Sequence, residues 1–258
     1  MTKSLDRLLG IMARLRDPQN GCEWDVAQTF RTIAPYTIEE AYEVADAIER
    51  DDMAALKDEL GDLLLQVVFH SRIAEESGHF AFGDVAAAIG DKMEARHPHI
   101  FGDADHAGHN REARWERLKA EERAAKGATS ALAGVALALP ALMRADKLQK
   151  RAARVGFDWE DREGPTDKLR EEMGELAEAA TEAERFAEAG DLLFAAVNVV
   201  RAYGVAPEEA LRAANAKFER RFNGMEQIAK KEGEVFAALS LARQEALWQR
   251  VKAAESKD

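Results

Sequence analysis

The chain carries one acidic pattern twice. Ile38-Glu39-Glu40-Ala41-Tyr42-Glu43 opens a segment that reaches Glu59-Leu60-Gly61-Asp62-Leu63-Leu64. Arg170-Glu171-Glu172-Met173-Gly174-Glu175 opens another that reaches Glu188-Ala189-Gly190-Asp191-Leu192-Leu193. Each half then continues to a Lys-x-x-x-Arg, Lys92 with Arg96 and Lys217 with Arg221. A period of about 130 residues is too long for a solenoid repeat and suits a whole small domain. Two tandem domains are therefore expected, 1–127 and 128–258, divided near the small, apolar stretch from Gly127 to Pro140.

Within each copy the pattern is helical. The chain has 6 prolines, and between them run long stretches rich in Ala, Leu, Glu and Arg, strong helix formers. Leu60, Leu63, Leu64, Val67 and Val68 recur at helical spacing, and the short runs Val67-Val68-Phe69 and Val197 to Val200 continue that period rather than alternate. Thr37-Ile38-Glu39-Glu40 fits a capping box, and Pro207 suits a first helical turn. The expectation is an all-α chain of about ten helices. Two loops interrupt it, His97 to Asn110 and Gly127 to Pro140.

The carboxylates need an explanation. Glu171, Glu175, Glu178 and Glu182 form one stripe at helical spacing, and like charges four apart cost about 0.2–0.5 kcal/mol per pair. Leu169, Met173, Leu176 and Ala180 lie on the other side and are expected to be core. Two antiparallel helices joined by a short turn would set Glu172 and Glu175 opposite Glu188 and Asp191. The first half offers the same quartet in Glu40, Glu43, Glu59 and Asp62. A solvated acidic face would explain one such cluster. Its pairing with Glu-x-x-Asp on the following helix, twice over, favours a hard divalent cation with oxygen ligands, above all Mg²⁺. A di-iron site would want Glu-x-x-His instead, and His70 has no counterpart in the second half. Lys217 and Arg221, four apart on one helix face, suit a polyphosphate clamp, and Lys92 and Arg96 repeat them.

Charge narrows the partners. With 48 acidic against 36 basic residues the formal charge is -12, which disfavours direct nucleic-acid binding. The apolar stretch from Ala131 to Met143 is too short and broken to span a bilayer. The single cysteine, Cys22, excludes a disulfide framework within the chain and lies outside both acidic clusters. A soluble, cytoplasmic protein is expected. His97, His99, His106 and His109 crowd one loop and read as solvated rather than metal-binding, and Trp115 and Leu118 read as helix packing beyond it.

With these residues in view, the chain resembles the MazG-type nucleoside triphosphate pyrophosphohydrolases of the all-α NTP pyrophosphatase superfamily, in their two-repeat form. The likeness extends to Trp24-Asp25, to Ala95-Arg96-His97-Pro98-His99-Ile100-Phe101-Gly102, and to Lys147 through Ala153 leading into Gly156-Phe157-Asp158-Trp159. It departs at Glu23, where the family often has Pro, and at Ala189, where Leu is common. The resemblance implies tandem helical-bundle domains assembled as a homodimer. It implies Mg²⁺-dependent cleavage of NTPs or dNTPs at the α–β phosphoanhydride, with Mn²⁺ as a substitute. It credits catalysis to the second repeat and structure or regulation to the first, although the first keeps the full acidic set and a weakly active site there stays open. Glu172, Glu175, Glu188 and Asp191 would bind metal there, with Glu40, Glu43, Glu59 and Asp62 as a second site. Lys168, Lys217 and Arg221 would hold phosphates, with Lys92 and Arg96 as first-half equivalents. Glu171, Glu172 and Asp191 would also contact the nucleotide, Trp248 would lie over the nucleoside, and Glu171 would act as general base. The competing reading is a non-catalytic helical scaffold that keeps vestigial acidic sites and binds a regulatory protein.

Overall fold

The computed structural model describes residues 2–101, 127 and 129–255, and its secondary structure there is helical, with no strand among the described residues. The chain divides into two compact units, Met1–Leu118 and Lys119–Asp258. The boundary expected at 127/128 falls beside residues outside the described set, as do His106, His109, Trp115, Leu118 and the side chain of His99. Among the described residues no single helix is long and apolar enough to cross a membrane.

The first unit contains α1 (Thr2–Leu15), α2 (Glu23–Ala27), α3 (Phe30–Glu49), α4 (Met53–Glu76), α5 (Phe82–Arg96) and α6 (Pro98–Phe101). Its framework is the α3–α4 hairpin. The turn works because Asp51 takes φ 52, and because the Asp52 carboxylate accepts the Ala54 and Ala55 amides at 3.1 and 3.0 Å. That side chain thereby satisfies two of the four orphan donors at the start of α4. Met12, Ile33, Val68, Phe69 and Ile73 close the core, each buried side chain contributing about 1.5–3 kcal/mol. Arg16 ties the helices together. It pairs with Glu76 at 2.7 Å and donates to the carbonyls of Asp25 and Gln28, while its guanidinium lies 5.3 Å from the Phe69 ring centre.

One local expectation fails here. Thr37 does not cap a helix. The helix starts at Phe30, capped by Thr29, whose hydroxyl accepts from the Thr32 amide while Thr32 accepts from the Thr29 amide. Pro35 lies inside α3, just past the first turn, where the missing N–H removes one ladder bond to Arg31. The Thr37 hydroxyl bonds back to the Ile33 carbonyl and meets His70 Nε2 at 3.0 Å. Packing against α4 carries the helix through a residue that the sequence marks as a break.

The second unit contains α7 (Ala141–Ala153), α8 (Glu163–Glu178), α9 (Glu182–Ala202), α10 (Pro207–Lys231), a 3-10 turn (Phe236–Ala238) and α11 (Leu241–Glu255). Helices α8 and α9 repeat the hairpin of the first unit, α7 lies on α9, and α10 touches α7 and α9. A capping box at Thr181, closed by Glu184, starts α9, and Pro207 occupies the first turn of α10 as expected. Met225, Ala229 and Leu247 form a separate core between α10 and α11, where a Cβ on Gly224 would stand 3.1 Å from Val251.

The orientation of α8 corrects the expected core face in part. Glu172 is buried at 5% exposure, whereas Met173 is 59% exposed, Leu169 and Leu176 are half-buried, and Ala180 is exposed. The expected four-acid stripe also breaks, because α8 ends at Glu178 and Glu182 opens α9. Leu193 on α9 and Leu60 on α4 are likewise exposed, at 61% and 50%. Each hairpin thus leaves some leucines outward, while Glu172 is buried and Glu40, Glu59 and Glu188 are half-buried.

Candidate active site

The hairpin geometry brings carboxylates of different helices together in both units. In the second, Glu172 of α8 meets Glu188 and Asp191 of α9, with one oxygen from each within 4.8 Å of the others. In the first, Glu40 and Glu43 of α3 meet Glu59 of α4 in the same way. Glu175 and Asp62 stand outside these triplets but act on them electrically. Partial burial and the charges of Asp62 and Glu43 raise the pKa of Glu40; partial burial and the charges of Glu43 and Asp62 raise that of Glu59. Glu175 is likewise raised, by partial burial first and by Glu172 against the opposing pull of Lys168. Carboxylates gathered so closely repel one another, and a cation among them would relieve that repulsion. An all-oxygen triplet fits a hard divalent ion, so either cluster can hold a metal. His70 belongs to neither. It stacks on Phe30 at 5.9 Å and meets Thr37, so the di-iron ligand pattern does not form.

A cation already approaches the second cluster. Lys168 Nζ lies 2.8 Å from Glu171 and 2.7 Å from Glu172, and these hydrogen bonds raise its pKa. Glu171 is exposed beside it, on the rim rather than in the triplet.

Glu172 and Asp191 of the triplet line a cleft of about 450 Å³ within the second unit. Lys168, Glu172 and Asp191 form one end. Gln149, Asn198 and Arg201 supply the other polar groups, and Phe157, Trp159 and Phe194 the aromatic ones. Sequence reasoning had not singled out Gln149 or Asn198. Asn198 carries a legible signal, since it lies seven residues after Asp191 on the same helical face, a polar residue inside an apolar run. Leu132 reaches the cleft from the loop before α7, where Arg151 donates to the Ala133 carbonyl. Trp159 packs closely on Gly164, where an added Cβ would meet the indole at 2.0 Å.

The remaining expected site residues lie elsewhere. Lys217 is exposed on α10, four residues before Arg221. Arg221 pairs with Glu255 at 2.7 Å and lies 5.5 Å from the ring centre of Trp248, which packs against Phe218. None of these residues lines the cleft. Lys92 and Arg96 are half-buried on α5, and His97 Nδ1 lies 2.8 Å from the Met93 carbonyl. Cys22 is exposed, just before α2.

Comparison with known proteins follows this division. Residues 28–101 match the model of the MazG nucleotide pyrophosphohydrolase domain, and residues 142–218 that of phosphoribosyl-ATP pyrophosphohydrolase. The chain is 52% identical to a nucleoside triphosphate pyrophosphohydrolase of Escherichia coli K12, over 97% of its own length and 98% of the relative's. It is 43% identical to the nucleoside triphosphate pyrophosphohydrolase/pyrophosphatase MazG of Thermotoga maritima, over 96% and 95%. A Bacillus subtilis protein described as uncharacterized protein YabN is 45% identical over 95% of this chain and 51% of its own.

Proposed function

The chain belongs to the MazG family of nucleotide pyrophosphohydrolases, and we propose on that premise that it hydrolyses NTPs or dNTPs to the monophosphate and pyrophosphate, with the second unit as the working half. The observation that carries this reading is the triplet Glu172, Glu188 and Asp191, two of whose members, Glu172 and Asp191, line a ligand-sized cleft.

Glu172, Glu175, Glu188 and Asp191 would hold Mg²⁺, or Mn²⁺ in its place. When bound, that ion neutralises the carboxylates and draws charge from the phosphate oxygens. The chain's own groups do the rest. Lys168 gives up its contact with Glu172 and turns its ammonium to a phosphate oxygen, with no change in its protonation. Glu171, on the rim, accepts a proton from the water that attacks the phosphoanhydride. Lys217 and Arg221, on α10 outside the cleft, would have to reach the departing pyrophosphate from there, Arg221 leaving Glu255, and Trp248 beside Arg221 would lie over the nucleoside. No covalent nucleophile is required. Glu40, Glu43, Glu59 and Asp62 would form a second metal site in a structural or regulatory half, with Lys92 and Arg96 on α5 as its phosphate-binding counterparts.

The exposed faces support a homodimer. Met173, Phe186 and Leu193 present 59%, 84% and 61% of their surfaces on the α8–α9 hairpin. Apolar surface of this extent on the main hairpin is what a second copy would cover. The single cysteine and the nucleotide substrates suit a cytoplasmic setting.

The test is product identity. Each NTP and dNTP is incubated with the chain and Mg²⁺, and pyrophosphate and orthophosphate are measured separately. Pyrophosphate with the nucleoside monophosphate is expected. Orthophosphate with the diphosphate, or no turnover of any base, would overturn the reading.

A further inference from the structure

One anion of the chain itself already sits on the basic face of α10. Helix α11 packs on α10 through Leu247, Trp248 and Val251, which recur at helical spacing. One turn past Val251 the same stripe ends in Glu255, a half-buried carboxylate where the period would accept another apolar residue. Its two oxygens are divided between two arginines. Arg220 Nε donates to Oε1 at 3.1 Å and Arg221 Nε donates to Oε2 at 2.7 Å. These bonds, that from Arg221 first, hold the Glu255 carboxyl below its ordinary 4.5 against the opposing effect of partial burial, so it is charged at neutral pH. Lys217 stands one turn before Arg221 on the same face of α10.

Glu255 thus meets the arginines as a phosphate would, with one oxygen on each guanidinium. The rest of the α10–α11 pairing is fastened elsewhere. Met225, Ala229 and Leu247 form its core. At the far end Arg243 and Arg250 bind Glu232, and Arg243 also binds Glu234. Between Val251 and Glu255 the residues Lys252, Ala253 and Ala254 are exposed. The last turn of α11 therefore buries little apolar surface and can lift without opening the core.

We propose that Glu255 is an internal anion that covers the phosphate clamp of the empty chain, and that the phosphates of a nucleotide displace it as the last turn of α11 lifts. The inference rests on the reading that Lys217 and Arg221 hold the departing pyrophosphate. On its return to the arginines, Glu255 competes with bound pyrophosphate and helps to expel it.

The test is equilibrium binding of inorganic pyrophosphate with Mg²⁺, measured by calorimetry on the wild-type chain and on Glu255→Gln. The variant keeps the size of the side chain and removes its charge. It is expected to bind about threefold to tenfold more tightly, because the arginines are no longer occupied for most of the time. Equal or weaker binding would overturn the proposal and leave Glu255 as a brace for Arg221. Hydrogen exchange over residues 249–255 of the wild-type chain gives a second measurement, independent of how any variant folds. Saturating pyrophosphate is expected to speed that exchange about tenfold. Unchanged or slower exchange would overturn the proposal. The two readings fail separately. A wild-type chain that releases pyrophosphate from NTPs, with Glu255→Gln binding it no better, keeps the hydrolase and sinks the internal anion. A wild-type chain that turns over no NTP, with the variant binding pyrophosphate more tightly, sinks the hydrolase and keeps the internal anion.

Discussion

Lys168 Nζ sits 2.7 Å from Glu172 Oε1, so the one carboxylate that α8 buries deeply is met by a cation on its own helix. The pair places a phosphate-sized anion binder directly beside the acidic triplet. Lys168→Met should lower kcat/KM for pyrophosphate release on the order of tenfold to a hundredfold. Lys168 is partly exposed, so the melting temperature should change little. Steady-state kinetics and a thermal melt check both halves of the expectation.

Glu175 is exposed, and the neighbouring charge of Glu172 adds to the partial burial that raises its proton affinity. Removing it relieves repulsion. Glu175→Ala should therefore abolish turnover while leaving the melting temperature in metal-free buffer unchanged or higher. Near-normal pyrophosphate release from the purified variant would remove Glu175 from the site.

Burial would raise the Glu76 pKa, but hydrogen bonds from Arg16 and Arg72 outweigh it and hold the carboxyl below its ordinary 4.5. A depressed folded value means the ionised form is favoured by folding. The stability Glu76 contributes is full above about 4.5 and is lost as pH falls through the depressed value. Arg16→Met should destabilise the first unit by on the order of 2 kcal/mol at neutral pH. Melts across pH 2 to 6, with Glu76→Gln as control, should show a shallower acid-induced loss in both variants.

Gly164 gives Trp159 its seat, since a Cβ there would meet the indole at 2.0 Å. Gly164→Ala should push the ring out of place at a cost of about 1–3 kcal/mol. Its KM should rise for base-bearing nucleotides more than for the abasic deoxyribose 5′-triphosphate. Equal effects on both substrates would show that Trp159 is structural only.

Phe186 and Leu193 are the two most exposed apolar residues of α9. If a second copy covers them, the double variant Phe186→Glu and Leu193→Glu should convert a dimer to a monomer by light scattering. A wild-type chain already monomeric at micromolar concentration would refute the homodimer.

Much of this could be read from the linear chain. The duplication, the helical class and the pairing of Glu-Glu-x-x-Glu with Glu-x-x-Asp follow from residue type and spacing, because helical period fixes which side chains share a face. So does Pro207 at the start of α10, a matter of local covalent geometry. Thr37 was misread for a related reason. A capping motif is a local signal, and the contact of α3 with α4 overrides it.

What spacing cannot decide is which face turns inward. On α8 the acids and the leucines recur with the same period, so either stripe satisfies the pattern, and the leucines alone suggest a core. The surrounding helices bury Glu172 and expose Met173. The amides of Gln149 and Asn198 are a further case, since Gln149 stands on α7 and Asn198 on α9, and only packing brings them to one cleft. The sequence by itself determined a duplicated, acidic, all-helical chain with paired carboxylates, and its resemblance to a family implied a hydrolase. The tertiary structure decided that Glu172 is buried between half-buried Leu169 and Leu176 while Met173 faces outward, because facing is set by contacts between helices that no period within one helix contains.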